Sequence, residues 1–412
     1  MVTCSRRRIT MTEIIAEILR ATIIAGIILA GILAILIWIK DQTKKISYLR
    51  VFIQIAAVPV IFLGLIIGPF GLPQFPPVGN APRDAVVGTN IFGAPFPDGL
   101  SVPVLACYYP SGRTVTCPIW QIQGYIFPFW NTGLGFGWGV FYTTTGLERL
   151  AIVFGLVIGM SIVLGRFFCG WVCPFGLYMD LIIRLRKTFK KRYWKLSERV
   201  NIGLRQLRYV IIAAFLILSF VFGTQAIIGL QLVPGTERGE YVYSYFSAPF
   251  CQICPVKPLS VLVESALGLM DFTFVFSNTK GLLYEAGYYV TSLNVAVLVL
   301  VTIGAFAFRR FWCRICPLGG LISIFNRFPP FKWVSGVRLN KIEEKCTKCG
   351  ICKRVCPPQV TEVYEEKGGD VTSPGCILCF RCVEMCPYEN CLEIRVAGKP
   401  IYKSRSWLKG LK

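Results

Sequence analysis

Two stretches near the C-terminus decide the reading: CTKCGICKRVCP at residues 346–357 and CILCFRCVEMCP at residues 376–387. Each spaces its cysteines by two, two and three residues and sets proline directly after the fourth. Three closely spaced thiolates can hold three corners of one cubane, while the fourth, carried away by the proline, reaches the neighbouring cluster. The spacing predicts one [4Fe–4S] cluster on Cys346, Cys349, Cys352 and Cys386. A second would use Cys376, Cys379, Cys382 and Cys356. Zinc in CxxC knuckles is the competing reading, and eight cysteines in this doubled spacing weigh against it.

The same punctuation recurs upstream. RFFCGWVCPFG at residues 166–176 ends one apolar run, and RFWCRICPLG at residues 310–319 ends another. Cysteines three or four apart share one face of a helical turn. Cys169, Cys173, Cys313 and Cys316 are therefore candidates for a third cluster held between two helices. Buried structural cysteines are the alternative, and duplication of the whole string argues against it. A further copy, FCQICP at residues 250–255, supplies Cys251 and Cys254, with Cys107 and Cys117 as possible partners. These four either hold a fourth cluster, or Cys107 and Cys117 form a disulfide in an outer compartment. Cys4 and Cys391 fit no pattern and receive no role.

Composition narrows the chemistry. The 412 residues include 18 Cys and no His, which removes imidazole-ligated haem, Rieske centres and any histidine base. Hydrophobic residues make up 54% and charged residues only 16%, against about 25% in soluble chains. Mean hydropathy is +0.58. The formal charge of +22 lies mainly between and after apolar runs, so a lipid surface and not nucleic acid is its expected partner.

Apolar runs long enough for spans occur at 21–39, 51–70, 150–165, 209–232 and 287–308. The expected fold is mainly α: a polytopic transmembrane helix bundle with a C-terminal two-cluster ferredoxin-like α+β domain. Its expected divisions are an extra N-terminal helix (1–48), a membrane domain with the Cys-Pro motifs (49–336), the ferredoxin domain (337–398) and a basic tail (399–412). Ten basic residues in 184–208 assign that segment to the cytoplasm. The Pro- and Gly-rich segment 71–148 then lies outside and the ferredoxin domain inside, in a multi-pass cell-membrane protein. The basic tail reads as a membrane-surface segment or a solvated end.

The apolar stretch 255–276 would spoil that topology as a span, so it reads as re-entrant or interfacial. Lys257, Ser260, Glu264, Gly268 and Asp271 form one stripe on it. The stripe is either the solvated face of an interfacial helix or a proton-transfer site. With no histidine, Glu264 and Asp271 are the candidate catalytic carboxylates at a quinone.

The Cys-Pro strings at 166–176 and 310–319, followed by the doubled ferredoxin motif, resemble the NapH-type membrane polyferredoxins over roughly residues 50 to 395. These are quinol dehydrogenase subunits serving periplasmic nitrate reductase, related to polyferredoxins of nitrous-oxide and methylamine respiration and of oxidase assembly. The resemblance implies a four-helix membrane part whose Cys-Pro motifs face the cytoplasm. It also implies electron exchange between the quinone pool, [4Fe–4S] clusters and other redox subunits of a respiratory complex. This chain departs in its shorter second motif, its extra first helix, its long 71–148 segment and the added Cys251/Cys254 pair. An assembly factor reducing a metal or disulfide in a partner, with Cys251 and Cys254 exposed, is the rival reading. A cluster-based redox sensor is a third.

Overall fold

The computed structural model describes residues 11–39, 43–63, 144–191, 193–228, 249–266, 292–325 and 336–407, with short pieces between 88 and 123. Each expected span coincides with a helix: Met11–Trp38, Lys45–Leu63, Thr144–Leu164, Glu198–Ile228 and Ser292–Ala307. Short two-residue strands form Gly88–Thr89 (β1) with Pro95–Phe96 (β2), and Leu100–Ser101 (β3) with Val115–Thr116 (β4).

The two Cys-Pro strings build the same backbone. Each span is followed by a short helix, Phe167–Trp171 in the first string and Trp312–Ile315 in the second. The second cysteine of each then turns extended, with Cys173 at φ −60°, ψ 120° and Cys316 at φ −58°, ψ 120°. Proline follows as the first residue of a new helix, Pro174–Thr188 or Pro317–Phe325. Its fixed φ suits that position, and its missing N–H costs nothing there. The second helix pair returns into the bundle: Pro317–Phe325 packs on Glu198–Ile228 and on Thr144–Leu164, while Pro174–Thr188 packs on Ser292–Ala307.

The bundle is apolar outside and polar at selected points within. Ile27, Val210 and Leu300 are more than 60% exposed, while Gln54, Ser161 and Asn294 are fully enclosed. Among the described residues one helix, over Glu198–Ser219, is long and apolar enough to cross a membrane. Gly26–Trp38, Val153–Leu164 and Leu293–Ala307 are shorter apolar helices.

The C-terminal domain is a four-stranded antiparallel sheet in the order β6-β5-β7-β8. Its strands are Val337–Lys341 (β5), Gly369–Asp370 (β6), Leu392–Val396 (β7) and Lys399–Lys403 (β8). The cluster loops lie between β5 and β7. Strand β8 corrects the expected tail: residues 399–403 pair with β7 and close the domain. Ser404 Oγ accepts the backbone N–H groups of Cys391 and Leu392, and the Trp407 indole donates to Met385 O at 3.3 Å. A two-residue turn with Gly398 at φ +77° makes the hairpin, and basic composition does not prevent it.

Two further expectations change. On the helix Val256–Ala266, Lys257 and Ser260 are buried and Leu262 is 47% exposed, so these two polar residues face inward; the Glu264 side chain, Gly268 and Asp271 lie outside what is described. The segment assigned to the outer side also reaches into the bundle. Leu105, Ile119 and Ile122 are buried in the same apolar core as Cys173 and Cys316, and the Leu105 N–H bonds to the Cys173 sulfur. Burial of these three side chains outweighs the loop-like composition around them.

Candidate iron–sulfur centres

In the C-terminal domain the two cysteine loops repeat one backbone. Lys348 and Leu378, thirty residues apart, both take positive φ (52° and 48°), and so do Gly350 and Phe380 (72° and 55°). Two left-handed residues per loop bend the chain around a common centre. Only one of the four is glycine, so Lys348, Leu378 and Phe380 hold conformations that cost about 1 kcal/mol or more each. Non-glycine strain repeated at matching positions belongs to a site shaped for a ligand and not to a generic turn.

The thiols influence one another across the two loops. Burial raises the Cys352 thiol, and Cys349, Cys346 and Cys386 add to the effect. Burial likewise raises Cys356, together with Cys379 and Cys376. Cys382 is raised by burial, by Cys376, Cys379 and Cys356, and last by Cys352 of the other loop. Each fourth cysteine therefore stands with the opposite loop. Cys346, Cys349, Cys352 and Cys386 line one small cavity. Backbone N–H groups of Val360 and Leu378 point at Cys356 Sγ (3.3 Å) and Cys376 Sγ (3.4 Å). Such donors favour thiolates bound to iron. Among the described residues no three Cys, Asp or Glu side chains close on a single ion. The fit to cubanes thus rests on all-sulfur donor sets, the cavity and the N–H donors.

The bundle motifs come together as well. Burial pushes the Cys173 thiol up to about 12, with Cys169 and Cys313 contributing. Cys316 is raised by burial and then by Cys169, Cys313 and Cys173. Two buried and two half-buried thiols in one place, with two guanidinium groups among them, fit an anionic thiolate cluster better than plain core filling. Those guanidiniums are reciprocal. Arg166 of the first string donates to Cys313 O of the second at 2.8 Å, and Arg310 of the second donates to Cys169 O of the first at 3.1 Å. Each Arg also lies against the other string's glycine: a Cβ on Gly319 would meet Arg166 Nη2 at 2.5 Å, and one on Gly176 would meet Arg310 Nη1 at 2.7 Å. The duplicated Arg, Cys and Gly are thus one clasp made twice.

The two halves of the clasp end differently. Arg310, fully buried, pairs with Asp180, which also takes Arg50 at 3.0 Å. Burial would raise the Asp180 carboxyl, but Arg310 and Arg50 hold it below the usual carboxylate range. Arg166 instead reaches the ferredoxin domain, donating to Gly375 O at 3.3 Å, one residue before Cys376. Trp171 donates to Leu378 O at 2.8 Å inside the same loop. Arg314, next to Cys313, reaches Gln359 Oε1 at 2.9 Å just after Cys356. The bundle motifs therefore dock on the loops carrying Cys356, Cys376, Cys379 and Cys382. The other set lies farther out, where Cys349 is exposed.

The remaining candidates are less complete. Cys254 is buried in the bundle core, Cys117 is half-buried against it, and Cys251 is half-buried. Asn294 donates to the carbonyls of Cys251 (3.0 Å) and Cys254 (3.1 Å). Cys107 and Asp271 lie outside the described residues, as does Cys4. Glu264 is on the helix Val256–Ala266, and its side chain is not among those described. Sequence reasoning missed Asp180, the roles of Arg166 and Arg310, and Cys391. The Arg and Gly flanking both Cys-Pro pairs were the available signal.

Residues 147–192 and 291–335 each match the family described as "4Fe-4S binding domain", and residues 338–387 match "4Fe-4S dicluster domain". The chain is 28% identical to uncharacterized protein MJ0750 of Methanocaldococcus jannaschii, over 56% of this chain and 73% of that one. It is 26% identical to the putative electron transport protein YccM of Escherichia coli (62% and 59%). It is 28% identical to the ferredoxin-type protein NapH of the same organism (54% and 59%). The match thus spans less than two thirds of YccM and of NapH. No solved structure matches. The chain is thus similar to ferredoxin-type and electron transport proteins, with a 4Fe–4S binding domain matched twice in the bundle and a dicluster domain matched after it.

Proposed function

We propose that this protein is the membrane-bound electron-transfer subunit of a respiratory complex, exchanging electrons between quinone and a partner redox protein. The observation that carries the reading is the direct bonding of the bundle's Cys-Pro strings, through Arg166 and Trp171, to the loop around Cys376 and Cys379. Bound [4Fe–4S] clusters would supply one-electron carriers at the eight ferredoxin cysteines and at Cys169, Cys173, Cys313 and Cys316. Arg166 and Arg310, both buried, would offset the negative charge of the lower thiolate set. Cys107, Cys117, Cys251 and Cys254 would hold a further cluster.

Quinol oxidation gives up two electrons and two protons, and the protons need a carboxylate. Glu264, on the helix that turns Lys257 and Ser260 inward, and Asp271 are assigned that part. The outward-facing apolar side chains of the bundle fit lipid, with the basic 184–208 segment at the cytoplasmic surface.

The test runs the reaction downhill. The protein is purified without oxygen, reduced, freed of excess reductant and mixed with a menaquinone analogue while cluster absorbance is followed. Rapid reoxidation that is lost in Cys169→Ser and slowed in Glu264→Gln is expected. Clusters that stay reduced toward the quinone while a soluble dye oxidises them would overturn the reading.

A further inference from the structure

Three arginines of the bundle end on the ferredoxin domain, and each is at most 2% exposed: Arg166, Arg208 and Arg314. Arg208 donates to Pro374 O at 3.2 Å and Arg166 to Gly375 O at 3.3 Å, two residues and one residue before Cys376. Arg314 donates to Pro357 O at 3.3 Å, directly after Cys356. Their other acceptors are also neutral. Arg208 meets the Tyr209 hydroxyl, Arg166 meets Cys313 O, and Arg314 meets Asn201, Gln359 and Arg309 O. Among the described residues, Arg166 Nε, Arg208 Nε and Nη1 and Arg314 Nε meet no acceptor at all. Nearby acids are already matched, Glu362 with Arg205 at 2.8 Å and Glu384 with Arg381. The outer set has no such surplus. Its buried cation, Lys341, pairs with Glu343 at 2.9 Å, and Arg354, which donates to Cys349 O, is exposed.

We infer that Arg166, Arg208 and Arg314 make the Cys356, Cys376, Cys379 and Cys382 site the higher-potential half of the ferredoxin domain, so that the first electron to enter the domain rests at its join with the bundle. The inference rests on the cluster reading above. Reduction adds one electron and one negative charge to a bound cubane, with no bond made or broken, and buried guanidiniums favour the added charge. The electron comes from quinol in the proposed reaction and from a chemical reductant in the test. Burial alone predicts the opposite order, because an enclosed site disfavours added charge while the outer one meets water at Cys349. The order of the two potentials therefore separates charge from burial.

A redox titration of the full chain, purified without oxygen and followed by low-temperature EPR, tests this. Two ferredoxin-domain steps are expected, and Cys382→Ser should remove the higher one. Coincident steps, or loss of the lower one, would overturn the inference. Arg208→Gln and Arg314→Gln should each weaken electron binding at the higher step about tenfold, a downward shift of ~59 mV for one electron, and leave the lower step nearly in place. Arg208→Lys, which keeps the charge but not the planar fork, should recover most of the shift, and a merely structural role would not be rescued in this way. Unmoved potentials in both Gln variants would overturn the inference. If those variants do not accumulate, the step lost in Cys382→Ser decides alone. A wild-type chain without ferredoxin-domain iron would instead sink the cluster reading itself, so the two failures are distinguishable.

Discussion

The two four-thiol regions solve one electrostatic problem in opposite ways. A cubane with four thiolates carries about two to three negative charges, which must be balanced or hydrated. In the ferredoxin domain the balance comes from exposure, backbone and one buried lysine. Cys349 is exposed, the loops curl so that N–H groups meet sulfur, and Lys341, buried and paired with Glu343, lines the outer cavity. In the bundle Cys173 and Cys316 are buried and Cys169 and Cys313 half-buried, and two buried guanidiniums lie beside them. The outer site has one buried cation and an open edge. The bundle site has two, and needs Asp180 to keep one of them paired.

The sharpest break in this comparison removes a ligand from each side. Cys316→Ser should lower iron by about four per chain and leave the ferredoxin-domain iron in place, whereas Cys382→Ser should do the reverse. Low-temperature spectra of the residual clusters would separate the two. Loss of all iron in either variant would mean the regions fold as one metal-dependent unit. Next in size is Asp180→Asn, which leaves Arg310 buried without its carboxylate and should cost about 3–5 kcal/mol in detergent unfolding. Acid should act the same way. Because the folded carboxyl titrates below its ordinary range, its stabilisation is complete above that range and is lost as pH falls through the depressed value. Wild type should therefore lose stability toward low pH more steeply than Asp180→Asn.

A smaller effect tests the join. Trp171→Phe keeps the ring that stacks on Phe167 at 5.2 Å but removes the N–H donated to Leu378 O. A buried carbonyl left unpaired costs about 1–3 kcal/mol. Hydrogen exchange should quicken at residues 374–380 while the sheet β5–β7–β8 stays protected. Equal quickening across the sheet would show that Trp171 supports the whole domain and not the joint alone.

What the sequence revealed follows from how local each signal is. Cluster spacing and apolar runs are written in consecutive residues, so the eight ferredoxin cysteines and the five helices were legible. The clasp was half legible. The repeated string pointed to Cys169, Cys173, Cys313 and Cys316, but each Arg finds its carbonyl more than 140 residues away, across the repeat. Cys391, which lines the outer cavity, was silent because it lies outside the motif, just before β7 begins. The stripe on the helix Val256–Ala266 was legible only in part, because periodicity shows that a helix has two faces and not which solvent each one meets; its Lys257 and Ser260 are buried.

The smallest effect belongs to the exposed rim, where the comparison expects charge to matter least. Lys353 Nζ lies 3.5 Å from Glu365 and 3.8 Å from Glu198, with both partners largely solvated. Such pairs are worth about 0–1 kcal/mol and weaken with salt. Lys353→Ala should therefore leave unfolding within about 0.5 kcal/mol of wild type and leave iron content unchanged. Arg166→Gln removes a single charge of the same sign from the enclosed site, and it should lower the potential of the bundle cluster measurably. If instead the Lys353 variant shifted a cluster potential as far as the Arg166 variant does, hydration would not be screening the outer site. The contrast between a solvated head and a charge-compensated foot would then fail.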